Sequence, residues 1–215
     1  MSKWFSTPPA CTYGHLIRVP FSSFTAPSHA SFADAVAIIY SLVPVLLVLS
    51  TLLYAVLRRT FSYSGVFLLL FFVHFPVTEI LKQIIKNPRP LGSCNSNYGM
   101  PSGHSFAAVS VFIYLVLWLF SISRDQRLKS PQKVVLLVLG MAVLLPVPWA
   151  RVQLRDHSIA QVSVGAVLGA LWGGIWFCIQ DLLVQKINKI FEKKPKKSPT
   201  PDASPPVLVG LSRSL

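Results

Sequence analysis

The sequence is poor in charge, and poorest in acid. Only 13% of its 215 residues are Asp, Glu, Lys or Arg, and only 7 are acidic. A soluble domain carries about a quarter charged residues, so the composition argues against a water-soluble globule. No Asp/Glu/His cluster has the spacing that holds Mg²⁺ or Zn²⁺. The three cysteines, Cys11, Cys94 and Cys178, have no metal-ligand spacing either. Their wide separation favours unpaired thiols, and a Cys11–Cys94 bridge would require both to face an oxidising compartment. Residues 1–30 lack the apolar stretch of a cleavable signal peptide.

What is abundant is apolar: 53% of the chain is hydrophobic. Five runs approach or exceed the ~20 residues that span a bilayer as helix: 35–57, 65–85, 105–123, 134–150 and 158–184. Backbone polar groups in lipid must be satisfied internally, so all five are expected to be helices. The predicted fold is an all-α polytopic membrane bundle over residues 31–186. In the fifth run Gly165, Gly169 and Gly173 recur every fourth residue, a stripe that lets a neighbouring helix approach closely. Residues 1–30 show no clear period and are expected to form an interfacial or loop segment. Residues 187–215, rich in Lys, Pro and Ser, read as a disordered, solvated basic tail.

A net charge of +13 in a soluble protein would suggest nucleic acid. Here the charge sorts by topology, and no nucleic-acid partner is expected. With five spans, the N-terminus and the loops near 86–104 and 151–157 share one side, which holds seven Lys and Arg. The opposite side, with the C-terminal tail, holds thirteen. Cytosolic loops are the positive ones, so the loop 86–104 is expected to face the lumen or exterior.

Three polar clusters converge on that side. The first is "KQIIKNPRP", with Lys82 and Arg89. The second is "PSGH", with Ser102, Gly103 and His104. The third is "RVQLRDH", with Arg151 and His157. Each alone has a bland account as a snorkelling side chain, a capped turn or a structural histidine. Together they place two arginines, a lysine and two histidines on one membrane face. Guanidinium groups bind phosphate oxygens bidentately and Lys adds a point charge. Ser102 and Gly103 before a helix offer a hydroxyl and bare N–H groups to an anion. Two histidines exceed what phosphate binding needs: one can attack phosphorus while the other handles the proton. Glu79, three residues before Lys82, is expected to pair with it.

The pattern K-x6-RP, PSGH and R-x5-H resembles the three-part signature of the type 2 phosphatidic acid phosphatase superfamily, over residues 63–184. The resemblance implies a helical lipid phosphatase without metal or cofactor. It implies His157 as nucleophile, His104 as acid, and Lys82, Arg89, Ser102, Gly103 and Arg151 as phosphate ligands. The family's third motif usually reads S-R-x5-H-x3-D; here Ala150 and Gln161 stand in for its serine and aspartate. Gln161 can still orient His157 through its carbonyl, without charge. Asp156 adjoins His157 but on a helix would point elsewhere, so it is not given that role. "YGMPSGH" with R-x5-H-x3-Q resembles the dolichyl diphosphatase branch. That implies a polyprenyl diphosphate substrate, membrane lipids as partners, a lumenal site in the endoplasmic reticulum, and recycling of the carrier for N-glycosylation. A broader lipid phosphate phosphatase and a non-catalytic lipid-phosphate binder remain as alternatives.

Overall fold

The computed structural model describes residues 11, 13–20, 22–58, 61–121 and 129–192. A short antiparallel hairpin, β1 (Gly14–Val19) and β2 (Ser22–Pro27), precedes six helices. These are α1 (Phe32–Arg58), α2 (Phe61–Ile85), α3 (Gly103–Ser121), α4 (Ser130–Leu144), α5 (Pro146–Gln153) and α6 (Ile159–Glu192). Four stretches among the described residues are long and apolar enough to cross a membrane: Phe32–Leu57, Gly103–Ser121, Ser130–Gln153 and Ile159–Lys186. At 1.5 Å per residue the 25-residue α2 is about 37 Å long, and it packs on α1, α3 and α6. All five apolar runs are therefore helical.

Local chemistry sets the helix ends. Ser31 and Asp34 form a reciprocal cap: Asp34 N–H donates to Ser31 Oγ at 3.2 Å, and Ser31 N–H donates to the Asp34 carboxylate at 2.9 Å. This satisfies two N-terminal donors of α1. At the end of α2, Lys86 turns left-handed (φ 51°) while its N–H still reaches Lys82 O at 2.9 Å. Pro88 follows, and the chain leaves the helix. The fourth run is divided at Leu145, because Pro146 brings no N–H to the ladder and its ring crowds the preceding turn.

The bundle centres on α3 and α6. The glycine stripe lies against α3: a Cβ built on Gly165 would fall 2.6 Å from Ser102 O, and Cβ atoms at Gly169 and Gly173 would run into the carbonyls of Phe106 and Ser110. Small residues here set the helix separation, as the spacing predicts. Leu70, Phe71, Ala107, Ala108, Val111, Leu144, Val147 and Trp176 fill the core around this contact. Outward faces stay apolar, with Leu46, Leu49, Leu53, Val138 and Leu171 exposed, as lipid contact requires.

Three expectations need correction. Part of the N-terminal segment is an ordered hairpin, paired from Gly14↔Pro27 to Val19↔Ser22. Its Phe24 is buried in a second core with Ala37, Ala150 and Leu154. No helical or alternating period announced it, because its burial comes from the helix ends beneath it and not from a sheet face. Cys11 and Cys94 are bridged, with a Cα–Cα distance of 5.2 Å across 83 residues of sequence. Separation in sequence argued for free thiols, but the fold brings the N-terminal segment back onto the loop after α2. The helix α6 also continues to Glu192, beyond the expected start of the tail at 187. Residues 193–215 of that tail lie outside the described residues.

The stripe supplies a test. Gly169→Leu is expected to cost about 1–3 kcal/mol or more by overpacking against the α3 backbone. Gly174, whose added Cβ would meet nothing within 4 Å, is the control. Gly174→Ala is expected to be neutral or slightly stabilising. Thermal unfolding midpoints in detergent distinguish the two.

Candidate active site

The three clusters of the sequence meet at one end of the bundle. Lys82 lies in the last turn of α2, and Arg89 in the loop that follows. Ser102 immediately precedes α3, with Gly103 and His104 in its first turn. Arg151 lies near the end of α5, and His157 in the turn before α6. They surround a cavity of about 1520 Å³. Lys82, Arg89, Arg151, His104 and His157 line it, and so does Arg18 from β1. Its apolar walls come from Pro44, Val45 and Val48 of α1 and Phe71, Phe75 and Ile80 of α2. A charged end thus adjoins an apolar passage between two membrane helices.

His157 is held at both ring nitrogens. Arg89 Nη1 lies 3.1 Å from Nε2, and Gln161 Oε1 lies 3.2 Å from Nδ1. A guanidinium has no acceptor, so Nε2 must carry the lone pair and Nδ1 the proton. Gln161 is itself fixed: its Nε2 donates to Asn87 Oδ1 at 2.5 Å and to Pro88 O at 2.7 Å. A carboxylate at this position could not donate to Pro88 O, and could keep Asn87 only by accepting from its amide. The local loop therefore explains why an amide replaces the acid of the family pattern. The close approach also needs Gly99, where a Cβ would collide with the Gln161 side chain.

Electrostatics favour a neutral ring. Burial pushes the His157 imidazole well below its ordinary range, and the Arg89 and Arg151 cations push it further. Burial also lowers the Arg89 guanidinium, to about 10, which leaves it charged at neutral pH. Arg89 donates to Asp156 O at 2.7 Å and to the Asn97 side chain at 2.9 Å.

The remaining predicted phosphate ligands offer unused donors. Ser102 Oγ and Arg151 Nε are buried with no hydrogen-bond partner among the described residues. A Cβ on Gly103 would touch only Thr78 Oγ1, at 3.9 Å, so the backbone there is uncovered on that side. Lys82 is buried and paired with Glu79 at 2.6 Å, as its spacing anticipated. Among the described residues no group of three His, Cys, Asp or Glu side chains is placed to hold a metal ion.

Several contributors have no signature in the motif spacing. Asp156 lies in a turn, fully buried, and forms an ion pair with Arg151 at 3.0 Å. It also accepts from Thr25 N–H at 3.0 Å and Thr25 Oγ1 at 2.7 Å. It is thus turned toward the hairpin, and Gln161 is the residue on the His157 ring. Ser22 Oγ lies 2.7 Å from His104 Nε2. Arg155 stacks over the Tyr13 ring at 4.4 Å. His74 of α2 lines the cavity and stacks on Phe106. Only the adjacency of Asp156 to His157 could have hinted at any of these.

Comparison with known proteins agrees with this arrangement. Residues 63–184 match the PAP2 superfamily. The chain is 30% identical to dolichyldiphosphatase 1 of Mus musculus over 162 residues, 70% of this chain and 66% of that protein. It is 33% identical to dolichyldiphosphatase of Saccharomyces cerevisiae over 115 residues, 49% of this chain and 46% of that protein. It is 32% identical to the chloroplastic lipid phosphate phosphatase epsilon 2 of Arabidopsis thaliana over 108 residues, 48% of this chain and 35% of that protein. The matched region therefore spans less than two thirds of the length of these curated relatives. A transmembrane PAP2-type phosphatidylglycerolphosphate phosphatase from Bacillus subtilis shares the fold. Its TM-score is 0.54 at 20% identity, covering 78% of this chain and 82% of that one. With its fold, its three converging motifs and over half its length matching, this chain belongs to the PAP2 superfamily.

Proposed function

We propose that this protein is a lipid phosphatase that removes the terminal phosphate of dolichyl diphosphate, working through a phosphohistidine on His157. The observation that carries the reading is the ring of His157. Its Nε2 lone pair is presented beside Arg89, its Nδ1–H is held by Gln161, and it borders a cavity that is cationic at one end and apolar along the other. Such a site suits a phosphate head on a long hydrocarbon.

Lys82, Arg89, Arg151, the Ser102 hydroxyl and the first N–H groups of α3 bind the terminal phosphate. Nε2 of His157 attacks phosphorus, forming a P–N bond as the P–O bond to the lipid phosphate breaks. His104 protonates the leaving oxygen. Water then attacks the phosphohistidine, His104 takes its proton, the P–N bond breaks and inorganic phosphate leaves. Charge that develops on the phosphoryl oxygens is met by fixed cations already in place.

The names of the relatives support the diphosphate substrate, and Arg18 at the cavity is a further cation for a second phosphate. The Cys11–Cys94 bridge lies at the end of the bundle that holds the site. An oxidising lumen fits that bridge, and so does the charge count, so the site is assigned to the lumenal face of the endoplasmic reticulum and the C-terminus to the cytosol. Recycling of the polyprenyl carrier for N-glycosylation is the role this reading gives the protein, in keeping with the names of its relatives. The similarity to a lipid phosphate phosphatase favours one second reading, a broader specificity that includes phosphatidate or prenyl diphosphates.

Phosphate release from the purified protein, across a panel of lipid phosphates and diphosphates, tests the reading. Dolichyl diphosphate is expected to give the highest kcat/KM. His157→Ala is expected to abolish both turnover and acid-labile labelling by a phosphate-labelled substrate; surviving label would overturn the nucleophile.

Activity is expected to persist in excess EDTA, because Lys82, Arg89 and Arg151 do the neutralising that a metal would do. Loss on chelation, restored by Mg²⁺, contradicts this mechanism.

The pH profile tests the surroundings of the nucleophile. The acid limb of kcat/KM from His157 is expected below pH 6.5, the ordinary value from which burial and cations lower it. Gln161→Glu adds a negative charge, which favours the imidazolium and raises its pKa, so the limb moves to higher pH. The same change removes the donor to Pro88 O, at a cost of about 0.5–1.5 kcal/mol for one lost hydrogen bond, visible as a lower melting temperature.

A further inference from the structure

We propose that Ser22 is a positioning residue for His104, and that the N-terminal hairpin is an integral part of the catalytic site. The inference rests on the reading of His104 as the proton donor to the leaving group. Neither residue 22 nor the hairpin belongs to any of the three motifs.

The direct observation is Ser22 Oγ, 2.7 Å from His104 Nε2, with both residues lining the cavity. His104 is the second residue of α3, and its ring needs a fixed orientation if its proton is to reach one particular oxygen. A hydroxyl suits that task because it can accept from Nε2–H and leave Nδ1 to exchange the proton. Transfer at Nδ1 leaves Nε2–H in place, so the bond persists in both the imidazolium and the neutral ring. His104 passes through both states in each turnover, and one hydroxyl can hold it in both. A carboxylate or an ammonium would favour only one.

Ser22 can align the ring only if its own backbone is fixed, and the hairpin is held from several directions. Thr25 makes two bonds to the buried carboxylate of Asp156. Arg151 Nη2 donates to Ser23 O at 2.9 Å. Asn95 Nδ2 donates to Ser23 Oγ at 2.9 Å, and Cys94 N–H donates to Thr25 Oγ1 at 3.0 Å. Arg155 stacks on Tyr13, and Cys11 is bonded covalently to Cys94. Three of these anchors, Arg151, Arg155 and Asp156, lie in the segment that ends in His157. The segment that presents one histidine thus grips the strand that orients the other. This gives the geometry of the pair a physical link outside the helices.

The test uses the full chain in detergent and the lipid phosphate it hydrolyses fastest, whichever that proves to be. Ser22→Ala is expected to lower kcat about tenfold, the scale of one lost hydrogen bond to a group that becomes charged, while KM changes less than about twofold. Ser22→Thr keeps the hydroxyl, fits an extended strand, and is expected to restore kcat. An unchanged kcat in Ser22→Ala, a loss confined to KM, or a Ser22→Thr protein as slow as Ser22→Ala would each overturn the proposal. The two readings fail separately. A wild type that prefers another lipid overturns the dolichyl assignment and leaves Ser22 standing. A wild type that prefers dolichyl diphosphate but tolerates Ser22→Ala does the reverse.

Discussion

The buried pair of Arg151 and Asp156 is the contact on which the cavity end of the structure depends. Both side chains are essentially inaccessible, at 1% and 0% exposure, and 3.0 Å apart. Removing two charges from water costs several kcal/mol per ion, recovered only with good geometry and further hydrogen bonds. Those four bonds come from three residues. Thr25 serves the carboxylate, while Ser23 O and Ser41 Oγ serve the guanidinium. The pair therefore joins α5, the turn that carries His157, α1 and the hairpin. Among the described residues Arg151 Nε has no hydrogen-bond partner.

The cations around His157 outnumber the anions. Asp156 is committed to Arg151 and Thr25, and Glu79 to Lys82. The residue on the imidazole is an uncharged amide, where the family pattern has an acid. The neutral ring is stabilised relative to the imidazolium by desolvation and by like charge. On the proposed reading an arriving phosphate supplies the missing negative charge. Gln161 gives direction to the ring without reducing the positive field around it. Its amide also ties His157 to Asn87 and Pro88, so the first motif loop and the third motif share one residue.

Much of this was legible in residue order. Five apolar runs marked five helical stretches, because length and hydropathy are what a bilayer selects. Glycines at 165, 169 and 173 marked the α3–α6 contact, because a fourth-residue repeat places them on one stripe. The motif residues converged because each lay at a helix end on the same side. The hairpin was not legible, since its strands are stabilised by what they cover: Phe24 fills a gap against Ala37 of the next helix and against Ala150 and Leu154, far away in sequence. Asp156 does point away from the His157 ring, as expected, but its pairing with Arg151 and Thr25 depends on the fold and has no signature in "RVQLRDH". Cys11 and Cys94 looked unrelated for the same reason, as did Ser22 and His104. Such pairings arise when two spans bring a loop back to its starting side, and no local period records that.

That return has a consequence for how the protein is made. Cys11 and Cys94 are partners across the whole of α1 and α2. With the site on the lumenal face, as proposed, the stretch before α1 must cross the bilayer ahead of its helix, then wait on the far side while two spans are synthesised and inserted. Only when the loop behind α2 arrives does Cys11 meet its thiol. The third motif, which grips the same strand through Asp156, is delivered later still. On that topology the bridge can form only after the loop behind α2 has crossed, and the Arg151–Asp156 pair only after the turn before α6 has been made.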